Sequence, residues 1–244
     1  MTAPAATALP VTAPSVPRDV GVVIVAAGTG TRTGSDELKQ FRWIAGKPML
    51  LHSVLAFQSR PDVAMVVAVL PKRYAGDPPP WLFQGDLERL LISVGGRERG
   101  DSVRNGLEDL PAEVQIVVIH DAARPLVTDA TIDAVIAEAR LGHGAVAALP
   151  IVDTLKRVSA DGVITETVTR DNLWRAQTPQ AFPRDMIVRA HADAYTNHIS
   201  ATDDAALCER LGLPVHIIPG SERAMKVTTE DDFARAEALS LLPA

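Results

Sequence analysis

The sequence predicts an α/β protein: a Rossmann-like, mostly parallel sheet with helices on both faces, plus a protruding β-hairpin arm. Three observations carry this. Continuous apolar runs of β-branched residues, such as Val22-Val23-Ile24-Val25 and the stretch from Val63 to Leu70, read as strands buried on both faces. These runs alternate with amphipathic stretches of helical period, the sign of repeated β-α units. Residues 154–175 then break the rhythm: Leu155 to Val158, the turn Ser159-Ala160-Asp161-Gly162, and Val163 to Val168 with alternating apolar and polar residues make a hairpin.

Taken in order, residues 1–18 are rich in Ala, Pro and Thr, with no positive charge before Arg18, and predict a disordered extension. A single domain over 19–244 follows. Strands are expected over 20–25, 63–70, 90–94, 114–119, 144–149 and 214–218, and helices near 48–59, 101–109, 129–140, 184–194, 203–211 and 230–241. Pro48 suits a first helical turn, Thr128 and Thr202 suit N-caps, and Gly142 and Gly212 suit helix ends. In such a sheet, ligands sit at the carboxyl ends of the strands. A two-stranded hairpin alone is marginal in water, so the arm predicts packing against a partner subunit.

Composition narrows the function classes. The chain has 244 residues, 47% hydrophobic, enough for one sizeable core. A formal net charge of −6 argues against non-specific binding to nucleic acid or an anionic membrane. The single cysteine, Cys208, excludes an internal disulfide and a cysteine metal cluster and fits a reducing compartment. No apolar run approaches the ~20 residues of a membrane helix.

The first strand runs into Ala26-Ala27-Gly28-Thr29-Gly30-Thr31-Arg32, with Lys39-Gln40-Phe41 shortly after. Small residues at a strand exit let backbone amides approach phosphate oxygens, and Arg32 and Lys39 add positive charge. A Walker loop needs Gly-Lys-Ser/Thr, but Gly34 is followed by Ser35-Asp36. A dinucleotide fingerprint needs glycine where Thr33 stands, and an acid where the second strand ends in Pro71-Lys72. A second glycine turn, Gly95-Gly96, precedes a helix capped by Asp101 or Ser102; such a turn serves equally as an ordinary tight connection. The fourth strand ends in His120-Asp121-Ala122-Ala123-Arg124-Pro125. A carboxylate at such an exit is well placed to hold a magnesium ion, and it can also pair with Arg124. His120 reads as a core histidine. Asp203 and Asp204 read as cap and helix-dipole residues rather than a metal pair, with a supporting role behind the site left open. Lys226 lies on a short apolar strand, where burial would call for a neighbouring anion.

The pattern from Ala26 to Arg32, with Lys39-Gln40-Phe41 and Gly46-x-Pro48, resembles the nucleotidyltransferases that join a sugar or polyol phosphate to a nucleoside triphosphate. Within them it is most similar to the 2-C-methyl-D-erythritol 4-phosphate cytidylyltransferase family. The Gly-Gly-x-x-Arg-x-x-Ser-Val pattern from Gly95, the His120–Pro125 segment and Gln177-Thr178-Pro179-Gln180 strengthen a resemblance spanning about residues 20–240. Two positions depart from it: Leu38 stands where proline is common, and Ala224 where asparagine is common. The resemblance implies transfer of CMP from CTP to the polyol phosphate in the non-mevalonate isoprenoid precursor pathway, in the cytoplasm. It also implies Mg²⁺ or another divalent cation, and a homodimer formed by exchanging the arm. Nucleotide contacts are implied at Ala26, Ala27, Gly28, Gly30, Gly96, Ser102, Asp121 and Ala122, with Asp121 on the metal. Arg32, Lys39, Arg170 and Lys226 are implied as catalytic cations. Thr154, Arg170, Lys226 and Arg124 are implied to grip the polyol phosphate, Thr154 and Arg170 across the dimer interface, with Asp153 and Lys156 as secondary candidates. Two alternatives stay open: a ribitol 5-phosphate cytidylyltransferase, and a catalytically silent nucleotide-binding regulator.

Overall fold

The structure, a computed structural model, describes residues 16–28 and 38–242. The expectations for Gly30, Arg32 and residues 1–15 of the extension lie outside the described residues. In chain order the elements are β1 (Val20–Val25), β2 (Trp43–Ile44), β3 (Lys47–Pro48), α1 (Met49–Gln58), β4 (Val63–Leu70), α2 (Lys72–Ala75), β5 (Leu90–Val94), α3 (Arg99–Glu108) and β6 (Ile116–Asp121). There follow α4 (Asp129–Arg140), β7 (Gly144–Pro150), β8 (Leu155–Val158), β9 (Ile164–Val168), β10 (Trp174–Pro183), α5 (Arg184–Thr196), α6 (Asp204–Arg210), β11 (Val215–Pro219) and α7 (Glu230–Ser240). Every strand expected from the apolar runs is present.

Seven strands form the main sheet in the order β11-β7-β10-β6-β1-β4-β5, all parallel to their neighbours except β10. Strand periodicity sorts the core into two layers. Val20, Val22 and Ile24 of β1, with Val66, Ala68 and Leu70 of β4, face α1 and α4 on one side of the sheet. Val23 of β1, with Val67 and Val69 of β4, faces α3, α5 and α6 on the other. Cys208 is buried in this second layer, where burial pushes its thiol up to about 12. Among the described residues no helix is long and apolar enough to cross a membrane.

Three expectations change. The central antiparallel strand β10 is absent from the strands that the apolar runs predict, because Gln177, Thr178, Pro179 and Gln180 are poor strand formers and proline cannot donate to a ladder. The ladder to β7 shifts register between Ala176 and Gln180, so Pro179 sits where pairing lapses. Helix α3 begins at Arg99 behind the N-cap Glu98, with Asp101 closing a capping box, so neither Asp101 nor Ser102 is its cap. Asp203, not Thr202, caps α6, its side chain accepting from the Ala206 N–H. Thr128 caps α4 as expected.

The hairpin is where the sequence places it. Among the described residues β8 and β9 pair only with each other, with Gly162 at φ +85° in the turn and an Arg157–Glu166 ion pair across the strands. Its tip carries exposed Val158, Val163 and Ile164.

Candidate active site

The site grows from the end of β1. Gln40 is buried, and its amide donates to the carbonyls of Ala26 (2.5 Å) and Gly28 (3.1 Å), fixing the strand exit. Lys39 precedes it in a short 3-10 turn, Lys39–Phe41, which Phe41 anchors edge-on against Tyr74 and Trp81. Leu38, at φ −61°, holds the backbone angle that proline would impose, so this departure from the family pattern keeps the local geometry.

The second wall is the Gly95-Gly96 turn. A side chain on Gly95 would press within 2.2 Å of the Ala27 Cβ, and one on Gly96 within 2.1 Å of the Asp101 Cβ, so only glycine lets this loop approach β1 and α3 so closely. The Ser102 hydroxyl accepts from the Gly96 N–H at 3.1 Å and donates to the Glu98 carbonyl at 3.1 Å, bracing the turn.

Asp121, at the end of β6, is the electrostatic centre. Its Oδ2 lies 2.7 Å from the Lys226 Nζ, and its Oδ1 lies 3.4 Å from the Arg99 guanidinium. Burial alone would raise this carboxyl, but Arg99 and Lys226, with Arg124 further away, hold it well below the usual carboxylate range. Asp121 is therefore an anion at neutral pH. Arg99 also lies 2.8 Å from the Oδ2 of Asp204, a contact of charge without hydrogen-bond alignment, and Asp204 Oδ1 meets His191 at 3.1 Å. A chain of polar contacts thus runs from the buried His191 and Asp204 through Arg99 and Asp121 to Lys226 at the edge of the cleft.

A neutral chain orients Asp121 from behind. Burial lowers His120 to about 4, so the ring is uncharged. Its Nε2 faces the Arg124 carbonyl, which can only accept, so Nδ1 accepts from the Thr178 hydroxyl. The Thr178 oxygen in turn accepts the Asp121 N–H at 3.0 Å. His120 is a core histidine, as expected.

Lys226 is not on a strand; it lies in the extended segment before α7, with its side chain 43% exposed, because it faces the cleft rather than the core. That segment is tied down at Val227, whose N–H donates to the Ala123 carbonyl, and at Asp232, whose Oδ2 accepts from the Thr228 N–H and hydroxyl and the Thr229 N–H. Partial burial would raise the Asp232 carboxyl, but these donors lower it to about 2. A depressed folded-state value means stability that is complete above the unfolded value of ~3.9 and is lost as pH falls through the folded value. Acid unfolding should therefore show a component between about pH 4 and pH 2 that disappears in Asp232→Asn, read by circular dichroism against pH.

These groups enclose a cleft of about 470 Å³ lined by Ala26, Ala27, Gly28, Lys39, Gly96, Arg99, Ser102, Asp121, Ala122 and Lys226. Most of the candidate residues thus converge. Among the described candidates, Arg124, Thr154 and Arg170, with the secondary Asp153 and Lys156, do not line it. Arg124 instead donates to the Ala224 carbonyl at 2.7 Å, bracing the Lys226 segment against β6, and Ala224 is fully buried there. Thr154 and Arg170 lie exposed at the base of the arm, where Arg170 donates to the Val152 carbonyl. Asp153 is exposed near the same place, and Lys156 donates to Thr167 across the hairpin. Arg99, Gln40, Thr178 and Asp204 are site residues that the sequence does not single out, although Arg99 occupies the arginine of the glycine-turn motif. The ionised Asp121 offers hard oxygen donors at the edge of an open cleft, which fits a divalent cation completed by phosphate oxygens.

An open α/β sheet that gathers a glycine turn, two lysines and an ionised carboxylate at its strand exits has the build of a nucleotidyltransferase. The profile of the family described as IspD: 2-C-methyl-D-erythritol 4-phosphate cytidylyltransferase matches residues 20–241. The 2-C-methyl-D-erythritol 4-phosphate cytidylyltransferase of Syntrophus aciditrophicus is 42% identical over 222 residues, covering 90% of this chain and 94% of that protein. The enzyme of the same name from Pelotomaculum thermopropionicum is 41% identical over 226 residues, covering 90% and 93%. The crystal structure of 2-C-methyl-D-erythritol 4-phosphate cytidylyltransferase from Thermus thermophilus superposes with a TM-score of 0.78 at 33% identity, covering 92% of this chain and all of that one. The chain belongs to the 2-C-methyl-D-erythritol 4-phosphate cytidylyltransferase family.

Proposed function

We propose that this nucleotidyltransferase transfers CMP from CTP to 2-C-methyl-D-erythritol 4-phosphate, releasing pyrophosphate, as a cytoplasmic step of isoprenoid precursor synthesis. The observation that carries the reading is the convergence of Lys39, Asp121 and Lys226 on one cleft between two glycine turns. A phosphate monoester has a second pKa near ~6, so the attacking oxygen is already deprotonated at neutral pH and needs no general base. That oxygen bonds to the α-phosphorus as the bond from the α-phosphorus to the bridging oxygen of pyrophosphate breaks. The difficulty is that two anions must meet. We assign Lys39, with Arg32, to the charge that gathers on the α-phosphoryl oxygens, and Lys226 to orienting the nucleophile for in-line attack. Gly28, Gly96 and Ser102 line the nucleotide side. Asp121 would hold a magnesium ion, which supplies charge neutralisation on the triphosphate. The direct test is pyrophosphate release from each of the four nucleoside triphosphates with methylerythritol phosphate and magnesium. Release with CTP alone supports the reading; release only with ribitol 5-phosphate, or none, rejects it.

We read 19–244 as one domain whose arm, about 154–175, exchanges with a second copy so that Thr154 and Arg170 grip the polyol phosphate in the partner's cleft. Supporting this are the exposed apolar tip, with Val163 and Ile164 each 59% exposed, and the position of Arg170, exposed at the base of the arm and outside the lining of its own chain's cleft. If so, inactive Lys39→Ala and Arg170→Ala proteins, mixed and re-paired at random, should recover about a quarter of wild-type turnover, since half the dimers carry one intact site. No recovery would place both residues in the same chain's site.

A further inference from the structure

A second cluster of chemistry-bearing side chains sits at the opposite end of the sheet. His143 directly precedes β7, His216 lies near the start of the edge strand β11, paired in register with Ala145, and Glu138 is in the last turns of α4. The Nδ1 atoms of both imidazoles lie 2.7 Å from the same carboxylate oxygen, Glu138 Oε1. The two rings lie with centroids 4.4 Å apart and planes tilted by 42°, and the candidate ligand atoms of the three residues all fall within 4.8 Å of one another. Glu138 and His143 are partly buried and His216 is half exposed, so the cluster is open to solvent ions.

We propose that Glu138, His143 and His216 bind one transition-metal ion of the zinc class. Two imidazoles and a carboxylate form a donor set suited to Zn²⁺, Co²⁺ or Ni²⁺ rather than Mg²⁺. Moving the ring proton of each histidine from Nδ1 to Nε2 frees both Nδ1 atoms, and the ion then takes the place of the two N–H groups against the carboxylate. Tetrahedral zinc, with bonds of about 2.0–2.2 Å, needs its ligand atoms about 3.3–3.6 Å apart, a spacing between the 2.7 Å of the two Nδ1–Oε1 contacts and the 4.8 Å that bounds the whole set. Water completes the coordination. The three ligands come from a helix, a helix-strand connection and an edge strand, so the bound ion cross-links β11 to α4 and β7. The catalytic cleft lies at the carboxyl ends of the strands, and this site near their amino ends, so the two are independent.

Titration of the full chain with zinc chloride, followed by calorimetry and by the visible absorption of a Co²⁺ substitute, tests this. One ion per chain is expected, undisplaced by excess Mg²⁺ and accompanied by a rise in melting temperature. The variants Glu138→Gln and His143→Ala/His216→Ala should bind at least about tenfold more weakly and lose the thermal shift, whereas Asp121→Asn should keep both. Unchanged pyrophosphate release by the histidine variants would show that they are folded; were they unstable, His216→Asn replaces them. Binding that survives these substitutions, or no binding by the wild-type chain, overturns the proposal.

Discussion

Replacing Lys39 with alanine should lower turnover by at least about a hundredfold while leaving the fold intact. The lysine lines the cleft on a turn whose position is set by its neighbours: Gln40 is hydrogen-bonded to the β1 exit and Phe41 is packed against Tyr74 and Trp81. Truncating the side chain therefore removes charge without removing packing. A preorganised donor aimed at developing phosphoryl charge is worth about 2.7–4 kcal/mol in the transition state, which corresponds to a hundredfold to a thousandfold in rate. Because the charge is greatest in the transition state, the loss should fall mainly on kcat rather than KM. Steady-state kinetics alongside far-UV circular dichroism would separate this from unfolding. Near-wild-type kcat would remove Lys39 from the chemistry.

The second large effect is expected at Asp121. Asp121→Asn keeps the shape of the side chain and removes the anion that sits between Arg99 and Lys226. Arg99 retains Asp204, and Lys226 is partly in water, so the protein should fold with a lowered melting temperature. Turnover should fall by about a thousandfold or more, because the cleft loses its hard oxygen ligand and Lys226 loses its orienting partner. Raising magnesium should not restore it. A variant whose activity returned at high magnesium would show that the carboxylate only tightens the metal and does not arrange the lysine.

How much of this is legible in the sequence depends on what each signal encodes. Parallel strands buried on both faces write themselves as apolar runs, so β1, β4, β5, β6, β7 and β11 can be read directly. Strand β10 cannot, because its polar centre serves the site rather than the core: Thr178 carries the Asp121 N–H, and Gln180 accepts from the Ala205 N–H and donates to Asp203. Lys39, Asp121 and Lys226 stand out because strand exits and glycine turns mark where ligands sit. Arg99 and Asp204 escape for a physical reason. Arg99 stands in the sequence only as one position of the glycine-turn pattern, ahead of the helix expected from residue 101, and Asp204 as a first-turn acid, until folding brings positions more than a hundred residues apart into one ion pair. Arg124 shows the converse: Asp121 and Ala122 of its motif line the cleft, but its own guanidinium braces the Lys226 segment.

The central claim is that one cleft concentrates enough positive charge to bring two phosphates together. A crystal structure with a non-hydrolysable CTP analogue and magnesium tests it most directly. The account predicts the triphosphate seated between the Gly28 and Gly96 turns, the α-phosphate within reach of Lys39, and the ion on Asp121. A nucleotide bound elsewhere, or phosphates turned away from Lys39 with no ion on Asp121, would contradict it.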